Sequence, residues 1–297
     1  MALFTIRDAV ENDIPSINEL FRGEYGEGYP YQMTTLSAPD MHLVAQSDGK
    51  IVGFARASPY GIYFDVWELC SLVVHSKMRQ HGIARSFTIE RIRRLREMGV
   101  KTLVSESVTC YSDCASQRNL MNFGFKPYGL LPFVHPWIRP EVLGDQPLTL
   151  LLMVRSLNGG TGFGTRELFL SDQDRLALEQ FIPSKDLKPP WTSLLHFEGG
   201  IQSFFKPGKS VHGIRGSDFV DISLNHPSAL ETRRQLHAEG YRFAGILPGF
   251  GRDEEGQHVD LLRLYRPVTH TYTFDLVYVT PDLEALKQYC TRDFNAS

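Results

Sequence analysis

Cysteine is scarce: Cys70, Cys110, Cys114 and Cys290 are the four in 297 residues. They are too few and too scattered for a disulfide framework, and a reducing cytoplasm is the compartment they fit. Cys110 and Cys114 have no second pair at ligand spacing and the ten histidines are scattered, so no structural or catalytic metal is expected. Nothing close to twenty consecutive apolar residues occurs, which argues against a membrane span. The stretch from Met1 to Asp8 lacks the charged start and apolar run of a signal peptide and reads as a strand. A net charge of -3 and a pI near 6.4 leave no basic field to draw the protein onto nucleic acid or an anionic membrane. Also missing are a serine-histidine-acid motif, a dinucleotide fingerprint and a phosphate loop with lysine.

What remains is an ordinary globular composition, 42% hydrophobic and 22% charged. The length favours two domains, because single cores stop growing near about 250 to 300 residues. Residues 4–10 alternate as a strand, and Glu11-Asn12-Asp13 ahead of Ile14, Ile17, Leu20 and Phe21 predicts a capped amphipathic helix. After a tyrosine- and glycine-rich loop from Tyr25 to Tyr31, strands at 42–46 and 51–58 read as a hairpin turning at Asp48-Gly49. An apolar strand over 66–75 leads into a helix over 82–99, with Ala84, Phe87, Thr88, Ile92, Leu95 and Met98 on one face. A strand at 101–108, a helix at 113–123 and strands at 125–133 and 148–157 follow. The order β-α-β-β-β-α-β-α-β-β predicts an α/β (α+β) domain, a mixed central sheet with helices on both faces. The glycine-rich run 158–164 reads as a linker, dividing the chain into 1–157 and 158–297.

The second part contains an ungapped echo of the first. With Gly124-Phe125 laid on Gly240-Tyr241, Gly129-Leu130-Leu131-Pro132 falls on Gly245-Ile246-Leu247-Pro248, and Arg118 and Leu120 fall on Arg234 and Leu236. A shared helix-to-strand turn is the modest explanation; duplication of a domain followed by decay is the one preferred. Residues 158–219 show no counterpart of the strand and glycine turn at 66–84, so the second copy would lack the part that carries chemistry in the first.

That part is Glu68 to Arg85, an apolar strand running through a short turn into a helix. A helix N-terminus offers unpaired N–H groups and partial positive charge, glycine admits a phosphate close to the backbone, and Arg79 and Arg85 add charge. The six residues Arg79-Gln80-His81-Gly82-Ile83-Ala84 match the central motif of the GCN5-related N-acetyltransferase (GNAT) superfamily: Gln or Arg, two residues, Gly, one residue, then Gly or Ala. The chain resembles that family over roughly residues 3–157, including the element order and the helix ending Asn119-Leu120-Met121-Asn122-Phe123-Gly124-Phe125, on which Asn119 is a further candidate cofactor contact.

The resemblance implies a mixed GNAT sheet followed by a smaller, degenerate GNAT-like α+β domain. It implies acetyl-CoA or another acyl-CoA as cosubstrate, with the backbone of Leu72-Val73-Val74 along the pantetheine arm and the amides from Gln80 to Arg85 (through His81, Gly82, Ile83 and Ala84) on the pyrophosphate. A bulge in the family's strand opens a V-shaped slot; no residue pattern here reveals one. Glu68 stands where several members place a general base, needed because an aliphatic ammonium with pKa near about 10.4 is protonated at neutral pH; a solvated or arginine-paired glutamate is the alternative. Where many members have an acidic tyrosine this chain has Leu120, so Tyr111, Cys110 or water would protonate the thiolate, or the thiolate would leave unassisted. Tyr25, Tyr29, Tyr31 and Tyr60 are candidates for the acceptor pocket, or for packing on the sheet. Arg85, Arg93 and Arg96 share one side of their helix, a docking surface for an acyl carrier protein or a solvated face. The expected activity is N-acyl transfer, acetyl first, from CoA to a small-molecule amine by direct attack, with the second domain capping the acceptor side or replacing a dimer partner in a monomer or homodimer. The alternatives are a non-catalytic acyl-CoA-binding module and a carrier-bound donor.

Overall fold

The computed structural model describes residues 4–27, 32–60, 63, 65–135, 140–144, 146–157, 168–171, 204–205, 218–253, 256–266 and 273–296. Tyr29, Tyr31 and the glycine-rich run 158–164 lie outside them. The first half reads β1 (Thr5–Asp8), α1 (Ile14–Tyr25), β2 (Met41–Ser47), β3 (Lys50–Pro59), β4 (Val66–Val74), α2 (Ile83–Glu97), β5 (Thr102–Val108), α3 (Ala115–Asn122), β6 (Lys126–His135), a four-residue α4 (Pro140–Leu143) and β7 (Leu148–Ser156). The strands form one seven-stranded sheet in the order β1-β2-β3-β4-β5-β7-β6. The α2 crossover makes β4 and β5 parallel, and the other described neighbours in this sheet run antiparallel. The mixed sheet and its flanking helices are those the element order implies.

Alternation along β2, β3 and β4 feeds two of the cores, beside the larger one that runs through β5, β6, β7 and the second half. Leu43, Ala45 and Ala55 pack against Ile83 and Phe87 of α2 on one face, while Val44, Phe54 and Val73 pack against Ile17, Leu20 and Phe21 of α1 on the other. The start of α1 is tied to β1 by Asp13, whose carboxylate accepts from the Val10 N–H (2.9 Å) and from Arg7 (2.7 and 2.9 Å). Periodicity misplaced two residues of α2. Met98 falls beyond the helix end and is 57% exposed, whereas Arg91 lies inside the buried face.

The second half contributes β8 (Phe204–Phe205), β9 (Asp218–Ser223), α5 (Ala229–Ala238), β10 (Arg242–Arg252), β11 (His258–Arg266) and a C-terminal α6 (Glu284–Asn295), with the sheet order β10-β11-β9-β8. The path β9-α5-β10-β11 follows that of β5-α3-β6-β7: in each, the last strand lies between the first two. Registers agree as well. Thr102 pairs with Ser156 as Asp218 pairs with Arg266, and β6 shifts register at Pro127/Gly129 and Leu131/His135 where β10 shifts at Phe243/Gly245 and Leu247/Gly251. A turn at the end of a helix does not dictate bulges farther along a strand, so the likeness extends beyond the shared turn.

The two sheets meet where β6 crosses β10. A Cβ on Gly129 would stand 2.1 Å from the Ala244 carbonyl oxygen and 2.3 Å from Gly245 Cα, an approach open only to a residue without a side chain. The C-terminal segment then returns to the first half: buried Gln117 of α3 donates to Tyr278 O (2.8 Å) and accepts from Thr280 N (3.2 Å), and Tyr278 N donates to Thr109 O (2.7 Å). No helix among the described residues is long and apolar enough to cross a membrane.

Candidate active site

The parallel pairing of β4 with β5 runs through Val66/Thr102, Trp67/Leu103 and Glu68/Val104 and then stops, while β5 stays paired with β7 to its end. On its other side β4 keeps pairing with β3, but Arg56 opposes Cys70 and Phe54 opposes Val73, so Ser71 and Leu72 together face Ala55. This is a β-bulge, with Ser71 at φ 51°. Glu68 is the last β4 residue paired with β5, and, one residue on, the Ser105 hydroxyl of β5 donates to Leu69 O (2.8 Å). Leu72, Val73 and Val74 are beyond the residues of β4 that pair with β5. Arg91 braces the bulge from beneath: its Nη1 donates to Arg56 O (2.9 Å) and Cys70 O (3.2 Å). Burial pulls Arg91 down to about 10, with Cys70 and Glu68 opposing, so it keeps its charge at neutral pH.

At the open end β4 leads through a 3-10 turn (Ser76–Met78) to the start of α2. Gln80 (φ 64°) and Gly82 (φ 83°) both adopt left-handed backbone. The first helical bond runs from Ser86 N to Gly82 O (2.9 Å), so the N–H groups of Ile83, Ala84 and Arg85 leave the helix end together. His81 Nδ1 donates to Arg79 O (2.8 Å), closing the turn upon itself. Such a cluster of backbone donors at a helix N-terminus suits a phosphate. Arg79 reaches back to Val74 O (3.4 Å) and forms an ion pair with Glu24 of α1, to which Tyr111, just after β5, also donates (3.1 Å). Asn119, read as a cofactor contact, donates its amide to Thr88 Oγ1 (3.1 Å) and joins α3 to α2. Of the arginine face, Arg93 is clasped by Glu90 and Glu97, each contact between 2.7 and 3.0 Å.

Glu68 is 6% exposed and shares its sheet face with Ser58, Cys70 and, two residues beyond its partner Val104 on β5, Glu106. Burial, then the charge of Glu68, pushes the Cys70 thiol up to about 12, so it remains protonated at neutral pH. Tyr60 is only 1% exposed, and its hydroxyl donates to Glu106 Oε1 (2.8 Å) while accepting from Arg263 of β11 (2.8 Å). Arg263 also donates to Asp221 of β9 (2.9 and 2.8 Å) and to the Tyr63 hydroxyl (3.1 Å). Tyr25 ends α1 half-buried and stacks on Phe21 at 6.1 Å.

Arg91, Glu106, Glu24, Asp221 and Arg263 are the residues that motif reading passed over. A signal existed for three of them. Glu106 is the one charge in β5, and Asp221 and Arg263 are charges of opposite sign among the apolar residues of β9 and β11, strands that also carry Asp218, Asp260 and Arg266; charges within core strands imply a partner. Among the described residues no group of three or more His, Cys, Asp or Glu is placed to hold a metal ion.

Residues 14–125 match the family model described as the acetyltransferase (GNAT) family. Comparison with curated proteins finds no match. Similar solved structures include an N-acetyltransferase from Staphylococcus aureus Mu50 (20% identity, TM-score 0.43, covering 52% of this chain and 98% of that one). A ribosomal-protein-alanine N-acetyltransferase from Brucella melitensis aligns at 25% identity and TM-score 0.43, over 52% and 99% of the two chains. A phosphinothricin acetyltransferase from Sinorhizobium meliloti in complex with AcCoA aligns at 22% and 0.43, over 54% and 91%. The chain thus carries, at residues 14–125, an acetyltransferase domain of the GNAT family.

Proposed function

We propose that the protein transfers an acyl group, acetyl first, from CoA to the amine of a small molecule by direct attack within a ternary complex. The observation that supports this reading is that β4–β5 pairing ends at Glu68, ahead of a β4 bulge at Ser71 and a helix start with two left-handed residues in its approach. Backbone groups of Leu72, Val73 and Val74 would hold the pantetheine arm, and the N–H groups from Gln80 to Arg85 the pyrophosphate. A β4 N–H beyond Glu68 would polarise the thioester carbonyl.

Glu68, where the β4–β5 pairing ends, takes the proton of the attacking ammonium. The amine nitrogen then bonds to the acyl carbon, the carbon–sulfur bond breaks, and the departing thiolate receives a proton from Tyr111 or water. The Tyr111 hydroxyl donates to Glu24 of α1 (3.1 Å), while Leu120, the position of the family's acidic tyrosine, is buried at 4%. The raised Cys70 thiol supports direct attack over an acyl-cysteine enzyme. The N-terminal half would be the catalytic unit, and the C-terminal half a decayed copy of the β5-α3-β6-β7 portion. Pairing of Arg93 with two glutamates weakens the case for a carrier-protein surface.

The test is thiol release from acetyl-CoA against a panel of amines, for wild type and Glu68→Gln. Amine-dependent release that falls by about 10² or more in the variant, with CoA affinity retained, supports the reaction and the base together. Undiminished release removes Glu68 from the mechanism, and CoA binding without release under any condition turns the reading to a binding module.

A further inference from the structure

We propose that Glu24 is an internal competitor of the cosubstrate: its carboxylate engages Arg79 until a CoA phosphate displaces it, so that α1 latches the turn that receives the cosubstrate. The inference rests on the acyl-CoA reading above and adds a control on that same site.

Three parts of the first half meet at this carboxylate. Glu24 lies in the last turn of α1, Arg79 in the turn between β4 and α2, and Tyr111 just beyond the end of β5. Glu24 Oε2 pairs with Arg79, and Glu24 Oε1 accepts from the Tyr111 hydroxyl (3.1 Å). β4 and β5 run parallel and stop pairing at Glu68/Val104, so one carboxylate ties together the segments that follow the ends of both strands.

The helix itself does not favour an acid there. A carboxylate in the last turn meets the negative end of the helix dipole, and a cation must offset it. Arg79 is that cation, and it belongs to the turn whose next residues lead to the outward N–H groups of Ile83, Ala84 and Arg85. A guanidinium takes a carboxylate or a phosphate through the same N–H donors, so Glu24 and a bound phosphate compete for it. Both together would bring like charges close. Exposure shows which partner moves: the Arg79 side chain is 48% exposed and that of Glu24 15%. Arg79 is free to turn toward a ligand, since its other contact, Nε to Val74 O at 3.4 Å, is long, while α1 and Tyr111 keep Glu24 in place. An exposed ion pair is weak, so the latch lowers affinity without blocking the site. The apparent affinity falls by the fraction of molecules in which Arg79 is not yet free.

The experiment is calorimetric titration of the full chain with CoA at fixed ionic strength, which needs neither an amine nor turnover. Wild type, Glu24→Gln, Arg79→Gln and the double variant are compared; an exposed pair contributes little stability, so all four fold. Glu24→Gln is expected to bind CoA about fivefold more tightly than wild type, and added salt to narrow the difference. Arg79→Gln binds about tenfold more weakly, the loss of one charge-assisted contact. In the Arg79→Gln background the gain from Glu24→Gln shrinks below about twofold, because the competition has lost its object. A tie that merely shapes the turn would have the opposite sign, its removal weakening CoA. Unchanged or weaker binding in Glu24→Gln overturns the latch, as does an equal gain with and without Arg79, and either result leaves the acyl-CoA reading standing. Absence of CoA binding by the folded wild type overturns both.

Discussion

The buried charges Arg263 and Arg91 are each held by several partners, and the charge of Arg263 is matched by Asp221, so removing one member of that pair tests it. Replacing Arg263 by Met leaves Asp221 uncompensated in a fully buried site. The expected loss in urea unfolding is about 3–5 kcal/mol, whereas Asp221→Asn combined with Arg263→Met recovers part of it. Arg93→Ala, on the exposed face of α2, changes stability little by comparison. His42 gives the sign of a pH effect. Burial lowers its pKa below the ordinary 6.5, so the unfolded chain takes up a proton at higher pH than the folded chain. Stability therefore declines as pH falls below about 6.5 and stops declining once the folded form also titrates. Denaturation at pH 7.5 and 5.5 should show a smaller loss in His42→Gln than in wild type, with His226, shifted the same way by burial, retaining a share.

Among the elements, β4 and the start of α2 do the most to shape the site. The bulge at Ser71 depends on Arg91, which gives the displaced carbonyls of Arg56 and Cys70 a charged donor in a place water does not reach. Arg91→Met should weaken acetyl-CoA binding by about tenfold, beyond its effect on stability, since hydrogen bonds to charged groups are worth about 1.5–3 kcal/mol. Gly82→Val places a β-branched side chain at φ 83° and is expected to lose phosphate binding, read as a lower affinity for CoA than for its dephosphorylated pantetheine fragment. How much of this was legible follows from the residues. Gly82 and the arginine three places before it announce a tight turn into α2 because their spacing is local. Ser71 carries no such mark; its left-handed backbone is imposed by the register of β3 and by Arg91, which is twenty residues away in sequence and adjacent in space. Glu68 was readable from its distance to the turn, Glu106 only as a lone charge in a buried strand.

At the scale of the whole molecule the two sheets are joined through their bulged strands, β6 and β10, and through a C-terminal segment that returns to α3. Gly129→Ala drives a methyl into the Ala244 carbonyl, while at Gly245 the nearest atoms stand at 3.0 Å. Both variants should lower the melting temperature, Gly129→Ala the more, at about 1–3 kcal/mol for an overpacked site. The repeat visible in the sequence at Gly124-Phe125 and Gly240-Tyr241 is borne by equal strand orders and equally placed register shifts. The sequence by itself determined the elements of the first half, the glycine turn before α2 and the internal echo, because hydrophobic period, helix stops and motif spacing are local properties of a chain. The end of the β4–β5 pairing at Glu68, the brace under the bulge and the joining of Tyr60 and Glu106 to Arg263 were decided only by tertiary structure. They depend on which strands become neighbours, and on the need of each buried charge for a partner that the chain supplies from far away.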